Sequence, residues 1–421
     1  MQASATTVRA VIGLTLSALL LAGCSESSGP EPGHDQGFPY GADQETVDEI
    51  IRDMEPVNLT YQPTAASAES NSAASGIAFA EAVEERSGGK ITMDLVWGQS
   101  IAPYGEIDDA LTDGRLDIAF DVLIYSTDQY PVFDGMSTIS QVAPAASMVG
   151  ETTTTAMLTE MAWDSEDLIN EFEDQGVEVL APVITAGQYY ISCSEPLESM
   201  SDWEGAQIRI GSTRQRELVE SVGGAPVSME YTDAYEALER GALDCAVSPL
   251  TATGGFGINE VAPYFYHWDD RSSADAGQGA HLVGTRVQEL PLAYRQILFD
   301  VFPEYFEGQM IGIMDSAVAA VSQAKQSGGS VQPLPAEVEQ RMNEAEAQGF
   351  EELITQGDLP PGTADEATQL SERWEDAVRE AGLVDQGDFA DVDEWYDGDS
   401  VDFLPLGERI FDEVLLEHRP E

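Results

Sequence analysis

The chain has 421 residues, of which 77 are acidic and 18 basic, for a formal charge of −59 at pH 7, and 43% of its side chains are apolar. That apolar content excludes an acidic disordered tail and is enough to fill the cores of two or three domains. Nucleic acid is excluded as a partner, because phosphate binding needs a basic face and none is visible. Lysine occurs only at Lys90 and Lys325, against sixteen arginines. A surface rich in acid and poor in lysine stays soluble where salt screens self-repulsion, the Debye length falling to about 3 Å at 1 M. The composition points to a salt-tolerant setting, with an ordinary acidic secreted protein as the alternative.

Residues 1–23 carry one charge, Arg9, and an apolar run from Ala10 to Leu21 too short for a comfortable membrane span, which reads as an export signal. Its end, Leu21-Ala22-Gly23-Cys24, resembles the bacterial lipobox, in which the signal is cut before the cysteine and the cysteine carries the lipid. Cys24 is therefore expected to anchor an extracytoplasmic protein to its membrane; an ordinary cleaved signal is the alternative. Residues 24–50 are rich in Ser, Gly, Pro and acid at their start and read as a flexible tether. The two remaining cysteines, Cys193 and Cys245, are compatible with one disulfide or with two buried apolar side chains.

Beyond the tether, Val57–Tyr61 alternates as a strand, and Glu69–Arg86 reads as a helix closed by Gly88-Gly89. Period two recurs at Ile91, Met93, Leu95 and Trp97; Ile107, Ala110 and Leu111 are spaced as a helix ending at Gly114; Leu116–Phe120 is a third strand. The order β-α-β-α-β predicts a parallel sheet flanked by helices. Val177–Val183 and Gln188–Cys193 are strand-like and could cross to a second lobe. There the order returns: strand 207–210, helix 214–222, strand 226–229, helix 232–240, strand 243–247. Residues 286–325 are mostly helical with an interruption near Pro303, and 336–355 forms another helix. From Val331 to Glu421 there are 26 acidic and 5 basic residues in 91. The run Asp391–Asp399 invites a calcium reading, but Trp395 stands where the EF-hand loop needs an oxygen ligand, and the glycine spacing fails. A solvated acidic face, with Trp395, Phe403, Leu404 and Leu406 packing on the body, is the better reading, and no metal site is expected.

Three stretches resemble a known family, the DctP-type solute-binding proteins of tripartite ATP-independent periplasmic (TRAP) transporters: Phe79–Ile91, Ala110–Ala119, and Trp203–Ile210 with its continuation through Val222–Val227 and Tyr235–Asp244. The likeness runs from about Val57 to Gln348. It implies an α/β, two-lobed periplasmic-binding-protein-like fold with a central ligand cleft, a long connecting helix and an acidic C-terminal extension. The expected division is lobe 1 at 51–184 with crossing segments at about 249–285, lobe 2 at 185–248 with helices at about 286–355, and the extension at 356–421.

In that family the arginine of the strand matching 207–210 pairs with a ligand carboxylate, so the resemblance implies Arg209 as the anchor. The residues agree: Arg209 lies between Ile208 and Ile210 and so points to the opposite face, and a guanidinium can grip a carboxylate bidentately. Gln188 or Tyr189 lies where the family often has a further arginine, which puts a second carboxylate clamp in doubt and suggests a monocarboxylate. Ser248 could supply a hydrogen bond where the family has Asn, beside a drier wall at Val247. Glu106, Tyr125, Ser126, Ser212 and Tyr231 lie near loop ends and are further cleft candidates. Tyr235 and Asp244 read as structural.

The four histidines, at 34, 267, 281 and 418, make no metalloprotease motif, and Gly254-Gly255-Phe256-Gly257 lacks the spacing of a phosphate loop, so no enzyme and no cofactor is expected. The resemblance implies a monomeric binding protein that captures a small organic acid and delivers it to TRAP membrane subunits. A sensor lipoprotein for a receptor kinase would share this fold and pocket, and a secreted hydrolase is a more distant alternative.

Overall fold

A computed structural model of the protein describes residues 36–145, 148–269 and 271–421. The export signal, Cys24 and the first part of the expected tether lie outside the described residues. Eleven strands form two sheets among them: β1 Val57–Gln62, β2 Ile91–Leu95, β3 Ile118–Asp121, β4 Glu178–Thr185, β5 Tyr189–Cys193, β6 Gln207–Ile210, β7 Ala225–Ser228, β8 Cys245–Pro249, β9 Tyr264–His267, β10 Gly277–Val283 and β11 Ser330–Pro333. One sheet has the order β2-β1-β3-β10-β4 and the other β11-β9-β5-β8-β6-β7.

The βαβ units pair in parallel as expected, β1 with β2 and β3, and β6 with β7 and β8. Each sheet also holds one strand running against its neighbours, β10 in the first and β5 in the second. The crossings explain this. β4 leaves the first sheet at its carboxyl end, so β5 enters the second sheet from the cleft side and runs opposite to β8. β9 returns toward the cleft, and β10 then enters the first sheet from that side.

This topology changes the expected division. Residues 264–267 belong to the second sheet, so only β10 of the segment 249–285 joins lobe 1. The helix Leu292–Asp300 packs with Gln44–Ile51 and Ala73–Arg86, on lobe 1 rather than lobe 2. The helix Phe302–Ser327 serves both lobes: it lies against Ala73–Arg86 and also against Leu250–Gly255, Ile258–Val261 and β11. Its close approach to lobe 1 needs Gly308 and Gly312, where a Cβ would stand 2.7 Å from the Ala74 carbonyl and 2.8 Å from that of Asn71. Pro303 occupies the first turn of this helix, where its missing N–H costs nothing.

The tether expected through residue 50 is structured from 36 onward: Phe38 is buried and Gln44–Ile51 is a helix capped by Asp43. At the other end, the helices Thr363–Glu380 and Leu404–Glu413 lie on Met148–Trp163 and Phe302–Ser327. Trp374, Phe403, Leu406, Ile410 and Phe411 are buried, so the acidic extension is part of the core on one face. Trp395 and Leu404 are only half-buried. Among the carboxylates of the run read against calcium sits an ammonium: Lys325 Nζ is 3.2 Å from Asp391, 2.6 Å from Asp393 and 3.5 Å from Glu394.

Candidate functional site

The carboxyl ends of β1, β3, β6 and β8 face a common cleft, the position at which open α/β sheets hold ligands. On β6, Ile208 and Ile210 are buried in the apolar core, and the strand alternation turns Arg209 to the other face. Arg209 is fully buried. Its Nε donates to the Met229 carbonyl at 2.8 Å, Nη1 to the Val247 carbonyl at 2.8 Å and Nη2 to the Tyr125 hydroxyl at 2.8 Å. Three of the five guanidinium N–H groups are thereby used. Among the described residues no carboxylate forms an ion pair with it, in a chain with 77 acids. The Tyr231 ring lies over the guanidinium at 4.0 Å, a cation–π contact. Burial opposes the charge, the oxygens of Tyr125, Tyr231 and Tyr189 favour it, and the net direction is upward, so the group stays a cation. Gly211 lets the chain pass over it, since a Cβ there would meet Arg209 Nη2 at 3.1 Å and the Tyr125 ring at 3.0 Å.

Tyr125 comes from the loop after β3, in lobe 1, and Arg209 from lobe 2, so their hydrogen bond spans the cleft. The same hydroxyl accepts from the Tyr231 backbone N–H at 3.3 Å. The hydroxyls of Tyr231 and Tyr189 are 2.8 Å apart, and Gln278 Nε2 of β10 donates to Tyr231 at 2.8 Å and reaches Tyr189 at 3.5 Å. Burial pushes the phenols of Tyr125 and Tyr189 well above their usual range, so they act as neutral hydroxyls.

Beside this cluster lies a narrow cavity of about 20 Å³, walled by Tyr104, Tyr231, Phe256, Gln278, Thr64 and Val122, among others. It adjoins a second narrow cavity of about 30 Å³ toward Phe120, Tyr305 and Gln309, the two sharing Thr64, Ser72 and Thr251.

The structure thus brings Arg209, Tyr125, Tyr189 and Tyr231 together. It does not bring in Glu106, which is exposed in a short 3-10 turn whose first residue, Tyr104, is the buried one. Ser126 is half-buried, and its backbone closes the turn by donating to the Leu123 carbonyl at 2.8 Å. Gln188 is buried but turned away: Nε2 donates to the Pro144 carbonyl at 3.0 Å, and its backbone N–H to both oxygens of Glu151. Ser248 pairs with Thr253 at 2.7 Å. Ser212 caps the helix Thr213–Ser221 and donates to Asp275 from across the cleft. Cys193 and Cys245 oppose each other on β5 and β8 and are bridged.

Tyr104, Phe256, Gln278 and Asp275 are missing from the sequence reading. Gln278 had a signal, lying between Gly277 and Gly279 in a strand, where glycine marks close backbone approach. Asp275 takes a left-handed backbone with φ 68°, uncommon outside glycine. Burial raises its carboxyl to about 6, against the Ser212 hydrogen bond.

The sequence of residues 64–356 matches the DctP model of bacterial extracellular solute-binding proteins, family 7. The chain belongs to this family. It is a family of binding proteins rather than enzymes, and the two-lobed fold is the one its solved relatives share. A relative in Albidiferax ferrireducens, described as a solute-binding protein, is 25% identical over 185 residues, which is 44% of this chain and 52% of that protein. The chain therefore spans about half the length of that relative. Among solved structures, a marine metagenome TRAP solute-binding protein specific for aromatic acid ligands superimposes with a TM-score of 0.65 at 19% identity, covering 76% of this chain and 99% of that one. A marine metagenome protein specific for pyroglutamate gives 0.64 at 14%, with 76% and 100% covered. The sugar acid binding protein of Advenella mimigardefordensis, in complex with galactonate, gives 0.63 at 17%, with 76% and 100% covered.

Proposed function

We propose that this DctP-family protein captures a small organic acid between its lobes and delivers it to the membrane subunits of a TRAP transporter, held outside the cytoplasm by a lipid on Cys24. One observation carries the reading of the cleft. Arg209 is a fully buried cation with no carboxylate partner among the described residues, and two of its N–H groups remain for a ligand. A buried charge without a counter-charge is costly, and an anionic ligand supplies one. The solved relatives that bind pyroglutamate, aromatic acids or galactonate support the same class of ligand. Lobe closure follows thermodynamically if the ligand binds the closed form better, and Arg209 with Tyr125 and Tyr231 from the two sides of the cleft provides that difference.

The test is thermal unfolding of the purified protein in high salt with a panel of organic acids. A ligand at a hundred times its dissociation constant adds about 2.7 kcal/mol of stability, readily seen as a melting shift. Arg209→Lys keeps the cation but loses the planar fork, so the shift should largely vanish while the variant still folds. An equal response from this variant removes Arg209 as anchor. A wild type indifferent to every acid removes the organic-acid reading.

A further inference from the structure

Resting on the reading that the two lobes close on an organic acid, we infer that closure draws a proton from solvent onto Asp275, so that capture of the acid is coupled to protonation of this carboxyl and tightens as pH falls. The first ground is placement. Asp275 stands in the chain crossing from β9 to β10, and that crossing is fastened to lobe 1. The Asp275 N–H donates to the Ser137 carbonyl at 3.2 Å, that of Ser272 to the Ala143 carbonyl at 3.0 Å, and Ser140 Oγ to the Ser273 carbonyl at 2.8 Å. The Asp275 carboxyl meets lobe 2 at Ser212, the residue that caps the helix Thr213–Ser221. Opening the cleft draws Ser212 away and admits water to the carboxyl; closing covers it and leaves the residue only 1% exposed.

The second ground is what surrounds the closed carboxyl. It has the hydroxyl of Ser212 and, at 3.4 Å, that of Ser137, and it forms no ion pair among the described residues. The charged groups facing it are Asp134 on the helix Pro131–Ser137, Arg214 on Thr213–Ser221 and Glu346 on Ala336–Gln356, with the neutral phenol of Tyr189 on β5. The two acids repel a carboxylate. The one cation, Arg214, is shared with Glu217 at 3.0 Å and Asp134 at 4.0 Å, and Glu346 has its own partner in Arg271 at 2.9 Å. A carboxylate shut in such a place is desolvated with no counter-charge of its own, and taking up a proton removes that cost. Burial accordingly raises the group to about 6, against about 4 for an aspartate in water. The closed form therefore holds the proton more tightly than the open form, so protonation favours closure. This advantage is fully present below about pH 4 and is lost as pH rises through about 6. The coupling is reciprocal: an acid that closes the cleft raises the affinity of Asp275 for a proton, and low pH raises the affinity for the acid.

The experiment is small-angle X-ray scattering from the purified full-length protein in high salt between pH 8 and pH 5, alone and with a mixture of pyroglutamate, 3-hydroxybenzoate and galactonate. It is repeated for Asp275→Asn and Arg209→Lys. Asn keeps the size of the side chain and an acceptor for Ser212, suits the left-handed backbone at this position, and does not titrate. The closed-to-open ratio of the wild type should rise about tenfold from pH 8 to pH 5, while Asp275→Asn is closed to the same extent throughout. Arg209→Lys should lose the response to the acids and keep the response to pH. A wild-type ratio that does not change with pH overturns the inference, and so does an Asp275→Asn variant that follows pH as steeply as the wild type, which would move the proton to Glu346 or Asp134. Closure that follows pH through Asp275 but ignores all three acids removes the organic-acid reading and leaves the proton site standing. A protein that stays open under every condition overturns both.

Discussion

Arg209 illustrates how one side chain can be legible in sequence while its surroundings are not. Its position between two isoleucines on a short strand already separates it from the core, and the family motif names it. The partners that hold it are spread over residues 125, 229, 231 and 247, which only the tertiary fold brings within hydrogen-bonding distance. The same limit explains Glu106. Its place near a loop end was visible, but the turn Tyr104–Glu106 buries the tyrosine and exposes the acid. Buried acids elsewhere make a prediction at this scale. Burial raises Asp275 to about 6, Glu346 to about 7 against the Arg271 ion pair, and Glu151 to about 8 against the Gln188 backbone hydrogen bond. In the unfolded chain such groups ionise near 4, so between pH 4 and 8 the native state binds more protons than the unfolded state. Their contribution to stability is fully present below the unfolded values and is lost as pH rises through the folded ones. Melting temperature should therefore climb as pH is lowered from about 8 to about 5. Glu151→Gln should flatten the upper part of that slope, between pH 6 and 8, and an unchanged slope would show that Glu151 does not titrate there.

At the scale of elements, the repeated strand-helix order was readable because each unit carries its own periodicity and glycine stop. The sense of β5 and β10 was not, since it depends on which end of a sheet the crossing chain enters. The helix Met148–Trp163 escaped the sequence reading altogether. It is buried on nearly every side, so it has no polar stripe, and its threonines are poor helix formers. Four of them, Thr152, Thr154, Thr155 and Thr159, instead satisfy their hydroxyls on the carbonyl four residues back, at 2.6 to 2.9 Å. The bridge between β5 and β8 closes a sequence separation of 52 residues. Loop entropy alone gives such a link about 4 kcal/mol, as an upper figure. It lies at the end of β5 away from the cleft, four residues beyond Tyr189. Replacing both Cys193 and Cys245 by Ala should lower the melting temperature while leaving ligand affinity within about twofold. Loss of affinity in a variant that folds would mean that the bridge also sets the cleft.

For the whole molecule, the charge of −59 opposes the approach of any organic anion. Added salt screens exposed charges beyond a few ångströms and leaves the desolvated contact at Arg209 much less affected. Affinity for the ligand should therefore rise with ionic strength, the reverse of an exposed ion pair. Titrations from 0.1 to 2 M salt read this directly, and affinity falling with salt would mean that surface cations do the capturing.

A last consequence follows from Gln296. Its Oε1 accepts from the Phe38 backbone N–H at 2.8 Å and its Nε2 donates to the Pro420 carbonyl at 2.8 Å, while Arg419 binds Asp300 and the Phe38 carbonyl. Residues 38 and 420 are thus stitched to one helix of lobe 1. A pair of fluorophores placed at these two positions would keep a constant energy transfer whether the cleft is open or shut. A sensor for ligand capture built on this protein needs one of its dyes on lobe 2, and a reporter fused after residue 421 would ride with lobe 1.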